Sequence, residues 1–211
     1  MKDADRSIEL IGARTGNCLR VAIGFEETGL PYRTRSIDLR HGEHREADHL
    51  ALNPAGKVPT IIDRSRGDAF VLSQSNAILM RLDGLRPGVL LPLGLTERSV
   101  AMERFFYFIT DAIGPSHAAF FLRNSGDKVG SAALDARSVA AIQDASRFVE
   151  NSAFMAGDAF SLADIAAFTI AAACKRHIDW AKAPRLQQWY GAMEERPGVQ
   201  RGMAAFDTAT S

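Results

Sequence analysis

Three short segments in the first 80 residues place polar side chains where they could bind an anion. The first, residues 13–20, follows a predicted strand and opens a predicted helix. The Thr15 hydroxyl and the Asn17 carboxamide can donate hydrogen bonds there, and donors to a thiolate would lower its pKa and hold it ready as a nucleophile. The alternative is that either residue only caps the helix, because Thr and Asn are favoured at that position.

The second segment, residues 53–60, reads Asn-Pro-Ala-Gly-Lys-Val-Pro-Thr. Pro59 falls where a strand should begin, which suits a residue that cannot donate to a ladder. A cis bond before Pro59 would turn the N–H and C=O of Val58 outward, where an extended peptide could pair with them as an added strand. An ordinary trans proline that opens an edge strand is the alternative.

The third segment, residues 72–78, runs from a strand end straight into a helix. Ser73 is predicted to be the N-cap. Gln74 and Ser75 then lie in the first turn, where free N–H groups and the positive end of the helix dipole attract a carboxylate. Capping without any ligand is the alternative.

Cys18 lies near a predicted helix N-terminus, where a cysteine can be reactive. It nevertheless shares the i, i+3, i+4, i+7 face with Val21, Ala22 and Phe25, and that pattern predicts a small buried core residue. Cys174 lies in an apolar helix and is predicted to be structural too.

The elements that must position these segments divide the chain in two. Residues 1–84 alternate strand and helix signals, beginning with a strand over 7–12, and predict an α/β domain with a mixed sheet. Residues 85–94 are rich in proline and glycine and predict a linker. Residues 95–211 carry helical periodicity with no strand signal and predict an all-α bundle, with one long helix over 96–123 bent at Gly114-Pro115.

Composition excludes several classes of protein. Lys plus Arg and Asp plus Glu number 25 each, so no basic excess predicts a nucleic-acid or anionic-membrane partner. Residues 1–6 are too polar for a signal peptide, and no apolar run predicts a membrane span. The five histidines are loosely spaced with no carboxylate cluster, so no metal site is predicted. A cytoplasmic location is expected.

The order and spacing of the three segments resemble the N-terminal domain of the cytosolic glutathione transferases. Residues 26–32, Glu-Glu-Thr-Gly-Leu-Pro-Tyr, also resemble the end of that family's first helix. Residues 160–166 resemble its C-terminal signature, in which Ser161 would cap the central helix and the Asp164 side chain would bond back to the Ser161 backbone, as in a capping box. The resemblance covers nearly the whole chain. It implies a thioredoxin-like domain that binds glutathione, followed by an all-helical domain.

The resemblance assigns roles to matching positions. Pro59 would be a cis-proline, Val58 would hold the cysteinyl backbone of glutathione, and Lys57 would contact its glycyl end. Gln74 and Ser75 would hold the γ-glutamyl carboxylate. The family more often has Glu-Ser at that pair, so Gln74 removes a negative charge and leaves recognition of the γ-glutamyl amine open.

The activating residue in this family is Tyr, Ser or Cys near the end of the first strand. No tyrosine lies in that loop here, and Thr15 falls at the usual place. The Thr-Gly-Asn trio resembles the Thr-Pro-Asn stretch of bacterial Nu-type members. By that resemblance, Thr15 and Asn17 would stabilise the glutathione thiolate for attack on an electrophile or disulfide.

The second substrate would be a small hydrophobic electrophile or a disulfide, in an acceptor pocket between the domains. Phe108 and Ala112 are candidates to line that pocket, and the resemblance also implies a homodimer. Two alternatives stay open. One is a non-catalytic binding or interaction protein that keeps the fold, and the other is redox chemistry through Cys18.

Overall fold

The computed structural model describes residues 8–65 and 67–207, so Ser7, predicted to begin the first strand, lies outside the described residues. Four strands form one sheet in the order β2-β1-β3-β4. Their bounds are β1 (Ile8–Gly12), β2 (Tyr32–Ser36), β3 (Thr60–Asp63) and β4 (Phe70–Ser73). β1 pairs parallel with β2 and antiparallel with β3, which pairs antiparallel with β4. The sheet is therefore mixed, as predicted.

The helices are α1 (Gly16–Thr28), α2 (Ala47–Leu52), α3 (Ser75–Leu85), α4 (Leu95–Tyr107), α5 (Gly114–Asn124), α6 (Lys128–Asp144), α7 (Leu162–Cys174), α8 (Pro184–Glu195) and α9 (Pro197–Ala204). A π-helical segment, Phe108–Ile113, joins α4 to α5, and the Gly114 N–H donates to the carbonyl of Ile109, five residues back. The predicted long helix is thus interrupted before Gly114-Pro115 by a change in hydrogen-bond spacing.

The chain divides into two compact units. One contains the described residues up to Arg86 together with those from Arg196 onward, and the other is Pro87–Glu195. The sequence-based division assigned everything after residue 94 to the helical domain, whereas the structure places α9 with the first unit. α9 packs on α1 because Gly202 has no side chain at the contact: a Cβ there would lie 2.6 Å from the Ile23 nitrogen.

Ion pairs fix the same contact between α1 and α9. The Arg196 guanidinium donates to both carboxylate oxygens of Glu27, at 3.1 and 2.6 Å, and Arg201 donates to Glu26 at 2.6 Å. The bidentate pair adds geometric specificity that a single contact would lack. α9 is thereby held against the helix that carries the first predicted site segment.

α1 begins and ends at residues suited to those positions. Thr15 is the N-cap in an extended conformation, and Gly29 ends the helix in the left-handed region with φ of 63°. The predicted apolar face is confirmed, since Cys18 and Phe25 are completely buried along with the residues between them on that face. α1 therefore packs as a core helix of the first unit.

α7 is the central helix of the second unit, as its apolar sequence predicted, and every residue from Leu162 to Ala171 is buried. The predicted capping box is confirmed: Asp164 accepts from the Ser161 N–H at 2.9 Å. Asp164 also accepts from the Trp189 indole at 3.0 Å, which ties α8 to the start of α7. Burial raises the pKa of Asp164 to about 6, and these hydrogen bonds oppose that shift.

We expect Gly202→Ala to lower the free energy of unfolding by about 1–3 kcal/mol, because the new methyl group must displace the backbone of α1. The control is Gly191→Ala in α8, where a Cβ meets nothing within 4 Å. That change should leave stability equal or raise it by up to about 1 kcal/mol through helix propensity. Urea unfolding of both variants measures the difference, and equal stabilities would contradict the close packing of α9 on α1.

Candidate functional site

The three predicted segments meet at one end of the sheet. Ile11 near the end of β1 lies opposite Thr60, the first residue of β3, and Thr60 also lies opposite Ser73, the last residue of β4. Because both pairings are antiparallel, the chain after β1, the chain before β3 and the chain after β4 all leave the sheet at this end. The segments around Asn17, Val58 and Ser75 therefore converge, although up to 58 residues of sequence separate them.

Thr15 is engaged within the chain. Its hydroxyl donates to the sulfur of Cys18 at 3.2 Å, and its oxygen lies 3.5 Å from the Cys18 N–H that it caps. The Ala13 N–H approaches the same sulfur at 3.5 Å. Thr15 therefore serves as a helix cap and as a partner of a buried thiol, and its hydroxyl would have to rotate to reach a ligand.

Asn17 and Ser75 are joined by a buried arginine. The Arg20 guanidinium donates to the carboxamide oxygen of Asn17 at 3.0 Å and to the hydroxyl of Ser75 at 3.3 Å. Arg20 is only 3% exposed, and burial lowers its pKa to about 10, so it is protonated at neutral pH. This contact links the first turn of α1 directly to the first residue of α3.

The segment before β3 is shaped by buried polar contacts. The Lys57 carbonyl accepts from the Asn53 amide at 2.7 Å and lies 3.0 Å from Nε2 of His49. With that carbonyl held, the next residue, Val58, lies at the end of the sheet where the three segments meet (the site end of the sheet). Neither the N–H nor the C=O of Val58 has a hydrogen-bond partner within residues 8–65 and 67–207. The Val58–Pro59 peptide bond is cis, as the resemblance implied, and the Lys57 side chain is exposed.

The start of α3 differs from the prediction. The N-cap is Gln74, not Ser73, and its side-chain oxygen accepts from the Asn76 N–H at 2.9 Å. Ser73 cannot take that role because it is still paired in β4, with its hydroxyl 2.9 Å from that of Thr60. Gln74 has φ of 80°, the only positive value for a non-glycine residue in the described ranges. Such backbone conformations cluster at functional sites.

Ser75 is therefore the first residue of α3, and its side chain is 5% exposed. Within the described part of the chain, no group accepts from its hydroxyl and none satisfies its N–H or that of Ala77. Unpaired donors at a helix N-terminus favour an anion. The site end of the sheet consequently presents hydrogen-bond donors from three segments: the Asn17 side chain, the Val58 N–H and the first turn of α3.

Phe108 and Ala112, predicted to line an acceptor pocket, are buried in the helical unit at 1% and 0% exposure. The Phe108 ring packs edge-on against Tyr107 and Phe148. The observed packing gives both residues a structural role, and their part in an acceptor pocket remains a prediction.

Three residues of the site end had no predicted function: Arg20, His49 and Asn53. The position of Arg20 was a usable signal for its role. Arg20 is a charged residue between Leu19 and Val21, which are both buried. It also lies three positions after Asn17, and residues three apart share a helix face. Asn53 and His49 act on a backbone carbonyl, and no sequence pattern indicates that contact.

Within residues 8–65 and 67–207, no group of three or more His, Cys, Asp or Glu side chains could hold a metal ion. None of the helices there has both the length and the apolar character needed to cross a bilayer.

Residues 16–85 match the family model for the glutathione S-transferase N-terminal domain. Over 206 residues the chain is 26% identical to the disulfide-bond oxidoreductase YfcG of Escherichia coli K12, covering 93% of this chain and 94% of that protein. It is 28% identical to glutathione S-transferase GstB of the same organism, covering 88% and 91%. A glutathione transferase structure from Burkholderia graminis, with two glutathione molecules bound per subunit, superposes with a TM-score of 0.86 at 26% identity, covering 99% of this chain and 92% of that one.

We expect Cys18 to stay unmodified when the native protein is treated with oxidised glutathione at pH 7. The side chain is completely buried, and burial raises the pKa of its thiol while the hydrogen bond from Thr15 offsets only part of that rise. Mass spectrometry of a Cys174→Ser variant isolates Cys18, and the same treatment in denaturant is the positive control. A mixed disulfide on native Cys18 would reinstate the redox alternative.

Proposed function

We propose that the chain is a member of the cytosolic glutathione transferase superfamily and an enzyme that activates the thiol of glutathione. The proposal places glutathione at the site end of the sheet, with Lys57, Val58, Pro59, Gln74 and Ser75 as its binding residues. The fold of the chain, and relatives that match it over most of their length, support a catalytic role.

One observation carries the proposal. Three loops that leave the sheet at the same end offer the donors and the strand-like backbone that a γ-glutamyl peptide requires. Val58 has both backbone polar groups unpaired within the described residues, so an extended cysteinyl residue can pair with it as an added strand. Ser75 at the start of α3 suits a carboxylate.

Asn17 is the better placed of the two candidate thiolate donors. Because its oxygen accepts from Arg20, its NH2 group is directed elsewhere and is available as a donor. The Thr15 hydroxyl is already donating to Cys18. We therefore assign the main stabilisation of the thiolate to the Asn17 amide and give Thr15 a capping role.

Two reactions are compatible with an activated glutathione thiolate. In the first, the sulfur attacks an electrophilic carbon, a C–S bond forms and the leaving group departs with its electron pair. In the second, the sulfur attacks a disulfide, a mixed disulfide forms and the other sulfur leaves as a thiolate. The name of GstB, a glutathione S-transferase, corresponds to the first reaction, and the name of YfcG, a disulfide-bond oxidoreductase, corresponds to the second. Assays with a small hydrophobic electrophile and with a small disulfide distinguish the two.

We expect Asn17→Ala to lower kcat/KM for glutathione about 10- to 100-fold, the cost of one hydrogen bond to a charged group. Thr15→Ala should lower kcat/KM less than about 3-fold and cost about 1 kcal/mol of stability as a lost N-cap. Steady-state kinetics and urea unfolding of both variants test this order. A larger kinetic loss in Thr15→Ala would transfer the donor role to Thr15.

The rival function is a binding protein without activity, motivated by Gln74 and by the absence of a Tyr or Ser donor in the first loop. Calorimetric titration with reduced glutathione at millimolar concentration is the first step, with Ser75→Ala as the site variant. Binding that weakens in Ser75→Ala, together with turnover, supports the enzyme. Binding without turnover across both substrate classes supports the rival as a binding protein, and no binding contradicts the enzyme and supports the rival as an interaction protein that keeps only the fold.

We also propose a homodimer. Phe120 and Phe121 of α5 are 53% and 65% exposed and stack edge to face at 5.6 Å, and Phe70 on the edge strand β4 is 44% exposed. Exposed aromatic clusters of this kind mark protein interfaces.

We expect the wild-type chain to sediment as a dimer and the double change Phe120→Ser with Phe121→Ser to shift it toward monomer. The control is Arg185→Ser on the exposed surface of α8. A change at a buried ring, such as Phe168→Ser in α7, would alter the core and is unsuitable. Sedimentation velocity across a concentration series gives the result, with circular dichroism to verify folding. A monomeric wild-type chain would contradict the proposal.

A further inference from the structure

We propose that Arg20 is a positioning residue that makes Asn17 and Ser75 into hydrogen-bond donors toward glutathione. This inference rests on the proposed function, because it concerns the same site. It adds a buried residue that would not contact the ligand and would act through the side chains of Asn17 and Ser75.

The guanidinium group of arginine donates hydrogen bonds and accepts none. Both contacts at 3.0 and 3.3 Å must therefore be donated by Arg20. Asn17 has to present its carboxamide oxygen inward, which directs its NH2 group away from Arg20. Ser75 uses a lone pair for Arg20, which leaves its hydroxyl hydrogen to be donated elsewhere.

The burial of Arg20 makes this orientation stable. At 3% exposure the guanidinium cannot turn to water, so a rotated Asn17 would place an NH2 group against N–H donors in a medium of low dielectric constant. The arrangement also places a positive charge behind both donors. That charge favours an anionic ligand and does not require contact with it.

The two helices hold the geometry. Arg20 lies on α1 one turn after Asn17, and Ser75 begins α3. α1 and α3 pack closely at Gly24, where a Cβ would lie 2.5 Å from the Leu79 side chain. Both helices belong to the same compact unit, so the distance that Arg20 spans is set by packing.

The test is a double-mutant cycle of Arg20→Met and Ser75→Ala, read by calorimetric binding of reduced glutathione. We expect each single change to weaken binding about 10-fold and the double change to weaken it little further, because contacting residues in one network are not additive. Independent, additive losses would overturn the inference.

Two ligand analogues separate positioning from a general loss of structure. In one, hydrogen replaces the γ-glutamyl α-carboxylate, and in the other the glycyl carboxylate is an amide. The penalty of Arg20→Met should shrink with the first analogue, which lacks the carboxylate that Ser75 would bind but keeps the thiol that Asn17 would bind, and it should persist in full with the second. Equal penalties with both would mean that Arg20 only supports the fold.

Two further variants keep the test decisive if Arg20→Met folds poorly. Arg20→Lys retains the charge, but its ammonium group lies on a flexible stem and lacks the fixed planar geometry of the guanidinium, so we expect an intermediate loss of about 3-fold. Asn17→Asp retains the acceptor for Arg20 and removes the donor, so it should lower turnover while leaving the fold intact. If Arg20→Lys bound glutathione as tightly as wild type, the fixed geometry of the guanidinium would be unnecessary and the inference would fail. If wild-type protein bound no glutathione, the proposed function itself would fail, which is a separate outcome.

Discussion

The central position of β3 between β1 and β4 is the constraint on which the site depends. Thr60 lies opposite Ile11 on one side and Ser73 on the other. Because both pairings are antiparallel, this register brings three loops that are distant in sequence to one end of the sheet. A shift of one residue in either pairing would turn every side chain of the shifted strand to the opposite face and displace a loop from the site.

Buried polar contacts then fix each loop. Arg20 holds Asn17 and Ser75, while Asn53 and His49 hold the carbonyl that precedes Val58. Buried hydrogen bonds in a low-dielectric interior favour one arrangement, because a rearrangement would leave further donors or acceptors unpaired. The polar groups at the site end of the sheet are thus held in place by a framework of buried residues.

Much of the architecture could be predicted from periodicity and end signals. The apolar face of α1 and the buried α7 with its Ser161–Asp164 capping box are confirmed. These features depend on contacts within a helix or on a continuous apolar face. The prediction was wrong at the start of α3 because the hydroxyl of Ser73 pairs with Thr60, 13 residues away in sequence, and so the cap falls to Gln74.

The sequence by itself determined which residue types are available for a thiol ligand and that a mixed sheet precedes a helical bundle, because these follow from local order and spacing. Only the tertiary structure decided how the donors are directed. In the folded chain the Thr15 hydroxyl donates to Cys18 and the Asn17 oxygen accepts from Arg20. α9 packs in the first unit through contacts of Gly202 and Arg196 with α1. Those outcomes depend on side chains meeting across elements, and a hydrogen bond's direction is set by whichever partner packing brings within reach.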